Sequence, residues 1–209
     1  MVAKRGPRLK AIRRLGTPLP GLTRKTADKK PYPPGQHGPT GGAGRGRKKQ
    51  SEYGRQLLEK QKLRLNYGVS ERQLRNYMAQ AERQGGKAGD NLLSLLERRL
   101  DNVVFRLGIA PTIPAARQLV AHGHIRVDGR RVDRAAYMVK PGHHVSTSDR
   151  ARNMPEVKTS VEHGPQVKLP GYLAIDPSDK FGGRVISLPM RGDVPVIVDD
   201  AAVVEFYAR

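Results

Sequence analysis

The chain has 209 residues, and 39 Lys plus Arg against 19 Asp plus Glu give it a formal net charge of +20 at pH 7. That length holds one large domain or two small ones, and 37% hydrophobic residues with three Phe and no Trp leave a modest core. Without Cys there is no disulfide framework, Cys-ligated zinc site or thiol nucleophile, and without an apolar run of 18 residues or a signal-type stretch the charge points to a polyanion partner.

Residues 1–50 carry 14 basic residues and one acidic one. Within them, Pro31-Tyr-Pro-Pro-Gly-Gln-His-Gly38 runs into a Gly-rich stretch and the basic Arg45, Arg47, Lys48 and Lys49. Gly and Pro resist helix and strand alike, so this segment reads as a basic arm without a core of its own, ordering on a nucleic acid. A solvated tail is the plain alternative.

The first helix is expected to start at Ser51, a suitable N-cap, and to end before Gly68. Tyr53, Leu57 and Leu58 mark its apolar face, and Arg55, Lys60, Lys62 and Arg64 another. Ser70-Glu-Arg-Gln73 fits a capping box, and Leu74, Tyr77, Met78 and Ala81 follow at helical spacing up to Gly85-Gly86. Arg72 and Arg75 point away from that stripe. A third helix is expected from Asp90 to Gly108, the most apolar stretch. Thr112 then caps a short helix with Pro114 just inside. It turns Ala115, Ala116, Leu119 and Val120 inward and leaves Arg117 and Gln118 outside.

After Gly123 the period becomes alternating. Asp128-Gly129 between Ile125–Val127 and Arg130–Val132 signals a hairpin with a type I′ turn. Further strands are expected at His144–Thr147, Tyr172–Ile175, Val185–Leu188 and Val203–Tyr207, while residues 150–170 are weakly patterned. The fold class is therefore α+β, divided into a basic arm (1–50), a helical domain (51–98), a helix-and-hairpin module (99–165) and C-terminal strands (166–209).

No P-loop, GxSxG, HExxH or EF-hand motif is present. His143 and His144 are adjacent, so on a strand they face opposite ways and do not chelate together. His122 and His124 either pack a turn or meet RNA. Arg99-Leu-Asp101 matches a short motif of some RNA pseudouridine synthases. Its place within an amphipathic pattern predicts a helical surface Asp, paired to Arg98 or Arg99, rather than a catalyst.

The runs Arg99-Leu-Asp-Asn-Val-Val-Phe-Arg-Leu-Gly108, Ala115-Ala-Arg-Gln-Leu-Val120, His122-Gly-His-Ile125 and Val127-Asp-Gly-Arg-Arg-Val132 closely resemble the RNA-binding module of the small-subunit ribosomal protein S-four family. Pro31–Gly38, Glu59-Lys-Gln-Lys62 and Val204-Glu-Phe-Tyr207 resemble the same family, so the likeness runs through nearly the whole chain. It implies a structural rRNA-binding protein rather than an enzyme, acting in the cytoplasmic ribosome or in an organellar stroma or matrix. It implies early binding at a multi-helix rRNA junction, with small-subunit proteins five and three as neighbours, an influence on decoding accuracy, and a position near mRNA entry. Many bacterial relatives hold zinc in an N-terminal Cys cluster. This Cys-free chain does not carry that over, so no metal or other cofactor is expected.

The RNA-binding residues expected are Arg5, Arg8, Arg13, Arg14, Arg45, Arg47, Lys48 and Lys49 in the arm and Arg72 and Arg75 in the helical domain. In the module they are Arg117, Gln118, His122, His124, Arg126, Arg130 and Arg131. Tyr32 or His37 is a candidate for stacking on a base. The last 55 residues carry six basic and eight acidic residues, and Asp199, Asp200 and Glu205 fit a protein neighbour. Two other readings share the module: an RNA-modifying enzyme, which needs a catalytic domain absent from residues 133–209, and a free-standing RNA-binding factor, which has no use for the Pro31–Gly38 segment.

Overall fold

The computed structural model describes residues 7–36, 38 and 51–208. Arg5, His37, Arg45, Arg47, Lys48 and Lys49 lie outside the described residues.

The N-terminal stretch is not wholly an arm. α1 (Arg8–Leu15) closes on Gly16 at φ 65°, and its Ile12 packs with Leu19 and Leu22 as a small satellite core. The run of cations hid an ordinary apolar face, Ile12 with Ala11 and Leu15 turned to that cluster. The Gly21 N–H reaches the buried Asn66 side chain at 3.1 Å, and the Gly21 carbonyl accepts from the Ile113 N–H at 2.8 Å. These bonds tie the segment to the helical body.

α2 (Glu52–Asn66) is capped by Ser51, and α3 (Glu71–Glu82) by the Ser70–Gln73 capping box. The expected faces of α2 need correction. Lys60 is buried, with its ammonium 4.2 Å from the centre of the Phe206 ring and 3.0 Å from Glu71, whereas Tyr53 is half-exposed. A lysine stem can cover apolar surface, and here the head finds both a ring and a carboxylate.

The long third helix is instead two, α4 (Ala88–Glu97) and α5 (Leu100–Arg106). Between them Arg99 is extended and bridges Met138. The N–H groups of Leu100 and Asp101 bond the carbonyls of Tyr137 and Ala135, and the Arg98 carbonyl takes the Val139 N–H. Apolar periodicity runs through the break without sensing it, because these partners lie some 40 residues away in sequence.

Two buried polar networks hold this junction. Glu97, wholly buried, accepts from Tyr67 Oη (2.5 Å), Tyr172 Oη (2.7 Å), Asn102 Nδ2 (2.6 Å) and Arg106 Nε and Nη2 (3.0 and 2.7 Å). Burial opposes the Glu97 charge, but Arg106 and the hydroxyl donors outweigh it and hold the carboxyl below its ordinary value. Burial and the adjacent Glu97 push Tyr67 and Tyr172 well up. Beside it, Arg99 grips Asp101 through two bonds of 3.0 and 2.7 Å and donates to Tyr77 Oη at 2.7 Å. Asp101 is thus paired to Arg99 as expected, but it is fully buried and not a surface residue.

α6 (Ile113–Ala121) is capped by Thr112 and carries its Pro in the first turn. The sheet follows: β1 (Ile125–Val127), β2 (Arg130–Arg131), β3 (His144–Thr147), β4 (Leu173–Ile175) and β5 (Gly182–Val185), all antiparallel in the order β2-β1-β3-β5-β4. Asp128 and Gly129 both have positive φ, 49° and 78°, as the type I′ hairpin requires. The strand expected at Val185–Leu188 is displaced to Gly182–Val185. The weakly patterned 150–170 region holds α7 (Asp149–Arg152) and α8 (Pro155–His163). Ser160 Oγ of α8 donates to the Gly108 carbonyl at 2.7 Å.

The strand expected at Val203–Tyr207 is a helix, α9 (Asp200–Tyr207), capped by Asp199 through the Ala202 N–H. Its β-branched and aromatic residues suit a strand locally, but as a helix it packs on α2 and α4. There Ala202 and Val203 are buried and Tyr207 Oη donates to Glu71 at 2.8 Å. Residues 166–209 therefore divide: β4 and β5 extend the module's sheet, while α9 returns to the helical domain. The expectation that strands alone complete the fold is corrected accordingly.

Candidate nucleic-acid interface

The hairpin and the end of α6 assemble one basic surface. β1 alternates buried Ile125, exposed Arg126 and buried Val127, so burying one face of the strand presents Arg126 on the other. Arg131 stands directly opposite Arg126 in the β1–β2 register. At the C-terminal end of α6 the chain turns through His122, Gly123 and His124, and the His124 carbonyl accepts from Ser148 at 2.8 Å. The two His rings sit edge to face with centroids 6.2 Å apart. Gly123 has φ 74°, and a Cβ built there would lie 2.1 Å from Arg131 Nε. The turn thus needs glycine both for its left-handed backbone and to admit the guanidinium.

This surface is electropositive and short of counter-charges. Partial burial, then Arg150, His122 and Arg131, lower the pKa of His124 and so favour its neutral imidazole. Arg126 lies 4.0 Å from Asp149, with both side chains exposed, a pairing of little consequence in water. Exposed guanidiniums of this kind bind phosphate oxygens through parallel N–H bonds. Gln118 and Arg130 are exposed beside it. Arg150 belongs to the same cluster and escaped the sequence reading, because only the β1–β3 pairing brings α7 beside His124.

Other expected residues are distributed differently. Arg72 and Arg75 are exposed on α3. Arg8 and Arg14 are exposed on α1, with Arg8 Nη1 reaching the Leu22 carbonyl at 3.3 Å. Arg13 is corrected. Its guanidinium donates to the carbonyls of Lys30, Tyr32 and Pro33 at 3.1, 3.0 and 3.3 Å and lies 4.9 Å from the centre of the Tyr32 ring. It staples the loop to α1, and its cation lies over one face of the Tyr32 ring.

Arg117 is engaged within the chain as well. It bonds Asp101 Oδ2 through Nε and Nη2 (3.0 and 2.5 Å), the Gly68 carbonyl at 2.7 Å and the Tyr67 carbonyl at 3.3 Å. Helical spacing placed it outside the apolar stripe of α6. It could not show that a buried carboxylate on α5 and the carbonyl end of α2 wait there. Asp199, Asp200 and Glu205 are likewise engaged within the chain, with Arg55 (2.6 Å), Arg191 (3.3 Å) and Gln56 (2.9 Å).

Among the described residues, no cluster of three or more His, Asp or Glu is arranged to hold a metal ion, and no helix is long and apolar enough to cross a membrane.

Comparison with known proteins agrees with this geometry. Residues 3–97 match the family model described as Ribosomal protein S4/S9 N-terminal domain, and residues 98–145 match the one described as S4 domain. Proteins named small ribosomal subunit protein uS4 are similar throughout. The one from Nostoc punctiforme is 51% identical over 205 residues, covering 98% of this chain and 97% of its own. That from Thermosynechococcus vestitus is 51% identical over 209 residues (100% and 99%), and that from Geobacillus stearothermophilus 49% over 204 (98% and 98%).

Proposed function

The chain belongs to the small ribosomal subunit protein uS4 family, and from that premise we propose that it orients several rRNA helices at once and so nucleates assembly of the small-subunit body. As a member of that family it is a structural, non-enzymatic constituent of the small ribosomal subunit that binds rRNA through an S4 domain. The observation that supports the finer reading is the spread of its exposed basic residues over several elements. Arg72 and Arg75 stand on α3, Arg8 and Arg14 on α1, and His122, His124, Arg126, Arg130 and Arg131 at the hairpin. Exposed basic residues on several elements suit a junction, where one protein meets more than one RNA helix. A-form RNA hides its base edges in a deep, narrow groove, so phosphates, 2′-hydroxyls and junction shape carry the recognition.

The arm cations Arg45, Arg47, Lys48 and Lys49 join this proposal as phosphate contacts, and the division into helical domain (51–98) and module (99–165) is supported by the extended break at Arg99. Small-subunit proteins five and three, and mRNA at the entry side, are proposed neighbours. For a protein neighbour the supporting feature is apolar rather than acidic: Ile186, Leu188, Met190 and Ile197 are 50–75% exposed, a surface that rRNA phosphates do not cover. Through that contact the protein would influence decoding accuracy.

Salt-dependent binding to the isolated five-prime rRNA domain, with chemical probing of the junction, tests the proposal. Neutralising about eight phosphates predicts a loss of roughly 10³ to 10⁵ in affinity from 50 to 200 mM salt, with protections on more than one helix. A flat salt response, or protection of a single helix, would refute it.

A further inference from the structure

The hairpin surface continues across the whole sheet. Arg126 pairs with Arg131 on β2 and with Ser146 on β3, Ser146 pairs with Gly182 on β5, and His144 pairs with Arg184. Side chains at directly paired positions, and at positions two apart, point to one face. Arg131, Arg126, His144, Ser146, Gly182, Arg184 and, through the β4 register, Ala174 therefore share the outer face. Ile125, Val127, Val145, Thr147, Leu173 and Val185 form the buried inner face. Arg126, Arg131 and Arg184 are exposed, and no ion pair joins Arg131 or Arg184 to an acid among the described residues. The acids at this face are Asp149, at 4.0 Å from Arg126, and Asp176, at 3.5 Å from His144.

We infer that the outer face of this sheet binds the sugar-phosphate backbone of double-helical RNA, with Arg184 on β5 as its far contact. The inference rests on the rRNA-binding reading and deepens it. Residues 182–185 lie beyond the stretch that matches the S4 domain, and they belong to the net acidic end of the chain, which by sequence alone looked reserved for protein. With strands about 4.8 Å apart and about 3.3 Å per residue, Arg184 and Arg131 are roughly 16 Å apart, so one phosphate cannot serve both. The face accordingly takes a length of backbone. Base stacking is not its chemistry, because sheets that read single strands offer aromatic platforms, and the one ring on this face is His144, partly buried with Nε2 3.5 Å from Asp176.

The test uses the full chain, the five-prime rRNA domain, and the variants Arg184→Ala, Arg131→Ala and, as control, Lys158→Ala on the exposed side of α8. Arg184→Ala should lower affinity several-fold and reduce the slope of log K against log salt by nearly one, as loss of one phosphate contact does. Its thermal transition should stay unchanged, because the side chain is exposed. Arg131→Ala should behave alike, and Lys158→Ala should leave the slope intact. Hydroxyl-radical footprints should lose protection on one strand of a helix. If Arg184→Ala binds with the wild-type slope while Arg131→Ala does not, the face ends at β1 and the inference fails, though rRNA binding stands. If the lost protections fall only on unpaired nucleotides, the duplex assignment is overturned. A flat wild-type slope would instead refute the rRNA reading beneath it.

Discussion

Replacing Arg117 separates a structural cation from an RNA-binding one. Arg117→Ala removes both bonds from Arg117 to Asp101 Oδ2 and the donor to the last carbonyls of α2. Asp101 has no exposed side-chain surface, and the side chain of Arg117 is 22% exposed. Losing one partner of a fully buried pair costs about 3–5 kcal/mol, but Arg99 keeps its two bonds to the same carboxylate. A charged hydrogen bond is worth about 1.5–3 kcal/mol, so the expected loss is about 2–3 kcal/mol. For a domain of this size that lowers Tm by about 4–12 °C. Thermal and urea unfolding followed by far-ultraviolet circular dichroism measure it. Filter binding at a temperature where the variant is fully folded should show rRNA affinity within about twofold of wild type. Arg117→Lys keeps a charge but not the fork, and should recover only part of the stability. An unchanged Tm together with a tenfold loss of rRNA affinity would refute this reasoning and return Arg117 to the RNA surface.

The Glu97 network gives a sharper contrast. Glu97→Ala orphans Arg106 and two tyrosine hydroxyls and should cost about 3–5 kcal/mol. The double variant Glu97→Met/Arg106→Met removes the charges together and should be distinctly less destabilised; equal losses in both would contradict that account. Gly123→Ala places a Cβ against Arg131 at positive φ and should cost about 1–2 kcal/mol in stability, while weakening rRNA binding as Arg131→Ala does; wild-type binding by a folded variant would speak against the turn's role. In acid, the lowered pKa of Glu97, Glu71 and Asp199 makes their stabilisation complete above the unfolded carboxylate range, near pH 4, and lost as pH falls through their lower folded values. Urea midpoints should therefore hold at neutral pH and fall below about pH 4, less steeply in Glu97→Gln, whereas a midpoint that rises on acidification would exclude this linkage.

Much of this protein was legible in its sequence. Caps at Ser51, Ser70 and Thr112 and the Asp128-Gly129 turn are local devices, decided by a few adjacent residues, and each appears in the structure where its residues stand. The basic character of the hairpin was also local, because β1 alternates and only one of its faces is buried. The residues that resemble the family, Arg99 to Val132 together with Pro31–Gly38, Glu59–Lys62 and Val204–Tyr207, carried the ribosomal reading by sequence alone.

Tertiary structure decided what depends on distant partners. α4 breaks at Arg99 because residues 135–139 supply its backbone bonds, and Val203–Tyr207 winds into α9 because α2 and α4 bury Ala202 and Val203. Which arginines stay exposed was undecidable from composition, since a guanidinium looks the same in a sequence whether a buried carboxylate or water awaits it. Arg13 and Arg117 turned inward to carbonyls and to Asp101, while Arg150 and Arg184 came to the outer surface from segments that local pattern had left unassigned. The +20 charge named a polyanion from the first line. Its division into internal staples and exposed contacts followed only from packing, because burial makes a charge find a partner and exposure leaves it free.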